Sequence, residues 1–118
     1  MDDVLSYFGE ILMNEVRDRT IRGFDMKITG KMMDKDSQKL FEEVNKMKDE
    51  RRLLVEKIIP QIVDLCIHNM LCMIEDCTSI DIQVEKKSIC EMSDGLAGEL
   101  YTEDGWIQRF SRQRYEEV

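Results

Sequence analysis

Between Leu53 and Ile74 the chain holds a helical segment that is apolar around most of its circumference and carries one narrow polar seam. At about 100° per residue, Gln61, Asp64, His68, Cys72 and Glu75 fall inside an arc of roughly 80°. The remaining circumference is Ile58, Ile59, Ile62, Val63, Leu65, Cys66, Ile67, Met70, Leu71, Met73 and Ile74. A helix of this kind belongs at the centre of a fold, and its seam carries the chain's single histidine. Pro60 lies inside it, removes one backbone hydrogen bond and predicts a kink near residues 56–60. A break there would leave a buried helix from about Gln61 to Asp76.

At 118 residues the chain is read as one domain, residues 1–118, able to bury about two-thirds of its unfolded surface. Hydrophobic content of 42% beside 36% charged residues excludes a disordered or membrane-embedded chain. Asp64, His68 and Asn69 interrupt the apolar run, whereas a membrane span needs about 20 mostly uncharged residues. The Met-Asp-Asp start lacks the basic opening of a signal peptide, so a cytoplasmic location is expected. Net charge is −8, from 25 acidic and 17 basic residues. That field repels a phosphate backbone, and the clusters Arg17, Arg19, Arg22 and Arg109, Arg112, Arg114 are interleaved with acids or followed by them. A basic protein partner suits such a surface better than nucleic acid. Cys66, Cys72, Cys77 and Cys90 form no close pair and read as reduced thiols, Cys66 as a small core residue.

The pattern predicts an α+β, mostly helical fold: a three-helix core with a small C-terminal antiparallel sheet or hairpin. The first helix is expected over about 2–29, with Val4, Leu5, Phe8, Ile11, Leu12 and Val16 inward and Glu10, Glu15, Arg17 and Arg19 in water. Gly23 predicts a bend and Gly30 the end. The second helix is expected over 37–48 with Ser37 as N-cap, and the third over 50–76. Ile80, Ile82 and Val84 alternate with polar residues, which predicts a strand over about 79–85 before a Lys86–Lys87 turn. Asp104-Gly105 is a strong turn dipeptide and favours a hairpin over 97–111, although short helices from Ser93 or Asp94 also fit. The tail from Gln113 is expected to fray.

Asp64, His68 and Cys72 stand at i, i+4 and i+8, an acid–base–thiol order in which the imidazole could touch both neighbours. No Gly-rich turn beside Cys72 offers an oxyanion site, so a structural histidine is the simpler reading. His68, Asp64 and Glu75 are the metal-ligand candidates, yet one helix face seldom supplies more than two ligands, and no metal or other cofactor is expected. Asn69 falls in the apolar arc, where its amide needs buried partners or lines a pocket. Among nine methionines, Met70 and Met73 read as core and Met32–Met33 as an exposed patch. Trp106 reads as a core cap over the hairpin.

The segment Ser93-Asp94-Gly95-Leu96-Ala97-Gly98-Glu99-Leu100-Tyr101-Thr102-Glu103-Asp104-Gly105-Trp106-Ile107 resembles the C-terminal signature of a small bacterial protein family of undetermined activity, some members of which carry an epimerase label. His68-Asn69-Met70-Leu71 is similar to the same proteins. The resemblance transfers no catalytic residue. If the motif folds over the central helix, Glu99, Glu103, Asp104 and Trp106 would meet His68 and Asn69. The His68 and Asp64 seam with these C-terminal carboxylates would make the site of a small enzyme or metal-binding protein, the alternative to a small acidic interaction module of immunity-like or accessory type. Self-association as a homodimer is also expected, since two other helices leave part of so apolar a helix uncovered.

Overall fold

Right-handed helical backbone runs unbroken from Val4 to Ile28 in a computed structural model that describes residues 3–115. Asp3 caps its start by accepting the Ser6 N–H at 3.1 Å, while the earlier start considered at Asp2 lies outside the described residues. Helices α1 (Val4–Leu12) and α2 (Arg19–Ile28) are joined by a π-helical turn, Met13–Asp18. Hydrogen bonding to the fifth residue instead of the fourth accommodates an extra residue in the turn. The apolar stripe therefore reaches the core one position late. Val16, expected inside, is exposed, and Arg17, expected in water, is fully buried. Ile11 is exposed as well. Helix α2 runs through Gly23 and ends at Ile28, two residues before Gly30, whose φ of 81° lets the Lys31 N–H reach the Met26 carbonyl at 3.0 Å. That closure needs a left-handed residue, which glycine adopts freely.

Helix α3 spans Lys35–Asn45 and is capped by Asp34 instead of Ser37: the Asp34 carboxylate accepts the Ser37 N–H at 3.1 Å. Ser37 is buried in the first turn, and its hydroxyl accepts from Lys27 Nζ at 3.2 Å. Helix α4, Asp49–Asp76, passes through Pro60 as one element, so the expected shortening at Gln61 does not occur. The Val4–Ile28 rod, α3 and α4 make the three-helix core, and the core has two parts. Ile59 joins Ile21, Ile28 and Val44 near one end of α4; Ile67, Leu71 and Ile74 join Leu12, Met13 and the C-terminal segment near the other. The radius of gyration is 16.7 Å, against about 13–14 Å for a compact domain of this length. An elongated molecule leaves much of its longest helix in water.

The strand expected over 79–85 contracts to Gln83–Val84 (β1), paired antiparallel with Lys87–Ser88 (β2). Glu85 and Lys86 both take left-handed φ, 52° and 68°, as a two-residue hairpin turn requires, so the turn comes one residue earlier than Lys86–Lys87. The alternation holds in part: Ile82 and Val84 pack on the core while Asp81, Gln83 and Glu85 are exposed, but Ile80, expected on the buried face, is exposed too. After the short α5 (Ile89–Met92), no hairpin forms over 97–111. A 3₁₀ turn (Leu96–Leu100) and α6 (Trp106–Phe110) stand there instead. The neighbours Leu96 and Ala97 are both buried, as are Trp106 and Ile107. Successive strand residues face opposite sides, so only helical backbone can bury such pairs here.

Candidate functional site

The π turn delivers two consecutive residues, Arg17 and Asp18, to one interior junction beneath the seam of α4. Arg17 Nε donates to Asp64 Oδ1 at 2.6 Å and Nη2 to Asp64 Oδ2 at 3.2 Å. Nη1 donates to Ser111 Oγ at 2.6 Å and to the Gln113 carbonyl at 3.3 Å, and Nη2 to the Arg114 carbonyl at 2.7 Å. Every donor of the planar fork is engaged. Asp18 accepts the Ser111 hydroxyl at 2.5 Å and the Arg112 N–H at 2.8 Å. The two side chains thus fasten residues 111–114 to the helices, and the tail expected to fray from Gln113 is docked through Arg114.

Pro60 supplies the second fastening. Lacking an N–H, it leaves the Glu56 carbonyl, four residues earlier, without its helical donor. The Arg114 guanidinium fills that place, with Nη2 and Nε at 3.0 and 3.2 Å from the Glu56 carbonyl oxygen. Its other edge is paired with Asp25, Nη1 to Oδ2 at 2.7 Å, and this bond raises the Arg114 pKa. A cavity of about 570 Å³ opens between α4 and the docked tail, with Pro60, Gln61, Asp64, Tyr101, Ile107 and Arg114 in its walls.

The expected acid–base–thiol row is not assembled, because Asp64 turns to Arg17. His68 meets Cys72, Nε2 to Sγ at 3.5 Å, and the Tyr101 ring at 5.7 Å between centroids; its buried Nδ1 has no hydrogen-bond partner among the described residues. Partial burial, then the neighbouring Asp64 and Cys72, push the Tyr101 phenol above its ordinary pKa. Of the other candidates, Glu75 accepts the Ala97 N–H and Glu99 accepts the Ser93 hydroxyl at 3.2 Å. Glu103 and Asp104 are exposed on the turn before α6. Trp106 is buried, edge-on to Phe8 at 5.8 Å and flush against Gly9. The C-terminal residue that reaches His68 is therefore Tyr101, not the carboxylates or Trp106. Among the described residues no three of His, Cys, Asp and Glu converge to hold a metal ion.

Arg17 and Tyr101 are the residues that sequence reasoning missed. Arg17 stood one position out of phase with the apolar stripe, and only the π turn brings it inside. The unpaired Glu56 carbonyl was readable from Pro60, but its distant donor was not.

The exposed side of α4, next to the seam, is the larger departure. Ile62 is 62% exposed, Leu65 59% and Leu54 54%, and Ile58 and Met73 are also exposed. Cys66, expected in the core, and Asn69, expected among buried partners, lie in water on the same side. From Ile58 to Ile74 no exposed residue of α4 carries a charge. By length and composition α4 is one helix among the described residues that could cross a membrane, yet its other side, Ile59, Pro60, Ile67, Leu71 and Ile74, is buried. No protein-family model, curated protein or solved structure matches the chain, so the reading of these surfaces rests on their own geometry.

Proposed function

We propose that this chain is a cytoplasmic protein-interaction module, an immunity-like neutraliser or accessory subunit, and that the uncovered side of α4 is a docking surface. The observation that carries the reading is the charge-free apolar face of α4. About 500 Å² of apolar side chain stands in water there, toward the upper end of the 300–600 Å² typical of a monomer's largest patch. The face selects an apolar counterpart. The net charge of −8 acts at longer range and speeds encounter with a basic partner on the rest of the surface. Affinity capture with Ile62→Glu and His68→Ala variants tests this. Loss of assembly with the first and its retention with the second supports docking, and the reverse pattern refutes it.

The cavity beside Tyr101 favours a second reading. Its volume of about 570 Å³ falls within the range of small-molecule sites, about 300–1,000 Å³, and it combines apolar walls with Gln61, Asp64 and a raised-pKa phenol. A small enzyme working there would use Tyr101 and Asp64, with His68 behind the tyrosine. A ligand whose stabilisation of the fold disappears in Tyr101→Ala would favour this reading.

A further inference from the structure

We infer that the occupant of the α4 face is a second copy of this chain, bound antiparallel about a two-fold axis that crosses α4 between Val63 and Asp64. The inference rests on reading that face as a docking surface, and it names the partner. Exposed residues along the face are symmetric about this point. An antiparallel pairing sets Ile62 against the partner's Leu65, Leu54 against the partner's Met73, and Ile58 against the partner's Asn69. The central contacts are all aliphatic, and Asn69 lies about one and a half turns from the axis.

Charge fixes the direction. Arg51 and Asp76 are exposed at the two ends of the stripe and lie equally far from the axis in sequence, so an antiparallel copy brings Arg51 beside the partner's Asp76 twice. A parallel copy would set arginine beside arginine and aspartate beside aspartate, which repel. Two chains of net charge −8 meet through a stripe of α4 on which no exposed residue from Ile58 to Ile74 carries a charge. Closing the face on both copies removes about 1,000 Å² of apolar surface, the size at which a specific interface begins. A bilayer would cover the apolar stripe but would draw both charged ends toward lipid, and α4 would have to keep its buried side on the protein.

Sedimentation velocity of the full chain over a concentration series is the test, with circular dichroism to verify that each variant is folded. The wild type should dimerise, and Ile62→Glu should weaken the dimer by about a hundredfold or more, because the change enters the contact twice. Arg51→Glu should weaken it measurably, and Arg51→Glu with Asp76→Arg should restore it. A dimer indifferent to Ile62→Glu, or one that Arg51→Glu leaves unchanged, overturns the pairing. So does flotation of the wild type, but not of Ile62→Glu, with phosphatidylcholine–phosphatidylglycerol vesicles. A wild type that stays monomeric while Ile62→Glu abolishes capture of another protein refutes the second copy and leaves the docking surface standing. A monomer whose captures ignore Ile62→Glu refutes both.

Discussion

Replacing Arg17 by Met keeps most of the buried aliphatic volume and removes the five hydrogen bonds its guanidinium donates. Asp64, the Ser111 hydroxyl and the carbonyls of Gln113 and Arg114 would then face a thioether. Removing one member of a buried ion pair costs about 3–5 kcal/mol. Asp64 keeps 21% of its side chain exposed and can rehydrate through the cavity, which puts the loss near the lower bound, about 3 kcal/mol. Total stability for such a domain is about 5–15 kcal/mol. An unfolding entropy of about 2.1 cal/mol/K per residue sums to about 0.25 kcal/mol/K, so Tm should fall by about 12 °C. Urea denaturation and thermal melting followed by circular dichroism read both figures. Asp64→Asn keeps a carbonyl acceptor and should lose roughly half as much, while Arg17→Met with Asp64→Leu should cost about 2 kcal/mol less than the sum of its parts. Amide exchange in residues 112–114 should rise in Arg17→Met. A loss below about 1 kcal/mol, or unchanged exchange in the tail, would refute the role given to this ion pair.

Gly9 touches the Trp106 indole so closely that a Cβ there would overlap the ring. Gly9→Ala should cost about 1–3 kcal/mol despite alanine's better helix propensity, and a variant that melts at the wild-type temperature would contradict the packing. Hydrogen bonds from Ser37 and Ser88 hold the Asp34 and Asp81 carboxyls below their ordinary pKa. Each unfolded carboxyl binds its proton first as pH falls, so their stabilisation is present above about pH 4 and is lost as pH falls through the lowered folded values. Urea midpoints should drop across that window, less steeply in Asp34→Asn, and identical slopes would count against this capping. The Ser79 hydroxyl lowers the Cys77 pKa, whereas burial, then Asp81 and Glu75, raise that of Cys90. Iodoacetamide at mildly alkaline pH should therefore label Cys77 well before Cys90, as mass spectrometry of the peptides would report; equal rates would exclude that difference.

The extent of α4 was legible because a long apolar run with acids opening its first turn allows few other structures. Its surroundings were not. An apolar circumference says that most of a helix avoids water, but periodicity cannot choose the side that the other elements leave bare. Ile62 and Leu65 were for that reason assigned to a core they do not enter. The first helix went wrong over a single residue: past Met13 the inward positions shift by one, which exchanges Val16 for Arg17 and hides the ion pair that ties the tail down. At the C-terminal end, local turn chemistry at Asp104-Gly105 suggested strands, and the need to bury the adjacent pairs Leu96–Ala97 and Trp106–Ile107 overruled it. His68 and Cys72 do meet as their spacing implied. Asp64 had a stronger partner forty-seven residues upstream, beyond the reach of any helical rule.

The π turn at Met13–Asp18 also bears on how the gene can change length. It holds one residue more than an α-helix would, and a deletion inside it would let the helix close to regular geometry. The wide turn absorbs that residue without changing the phase of its flanks, so Val4–Leu12 would keep its orientation relative to Arg19–Ile28, and Phe8 and Gly9 would stay against Trp106. A one-codon deletion in the exposed connection at residues 31–33 would disturb none of those contacts. Loss of one residue from this turn, with Arg17 and Asp18 kept, should therefore be tolerated midway along the first helix, where the same loss from a regular helix would turn its two halves by about 100°.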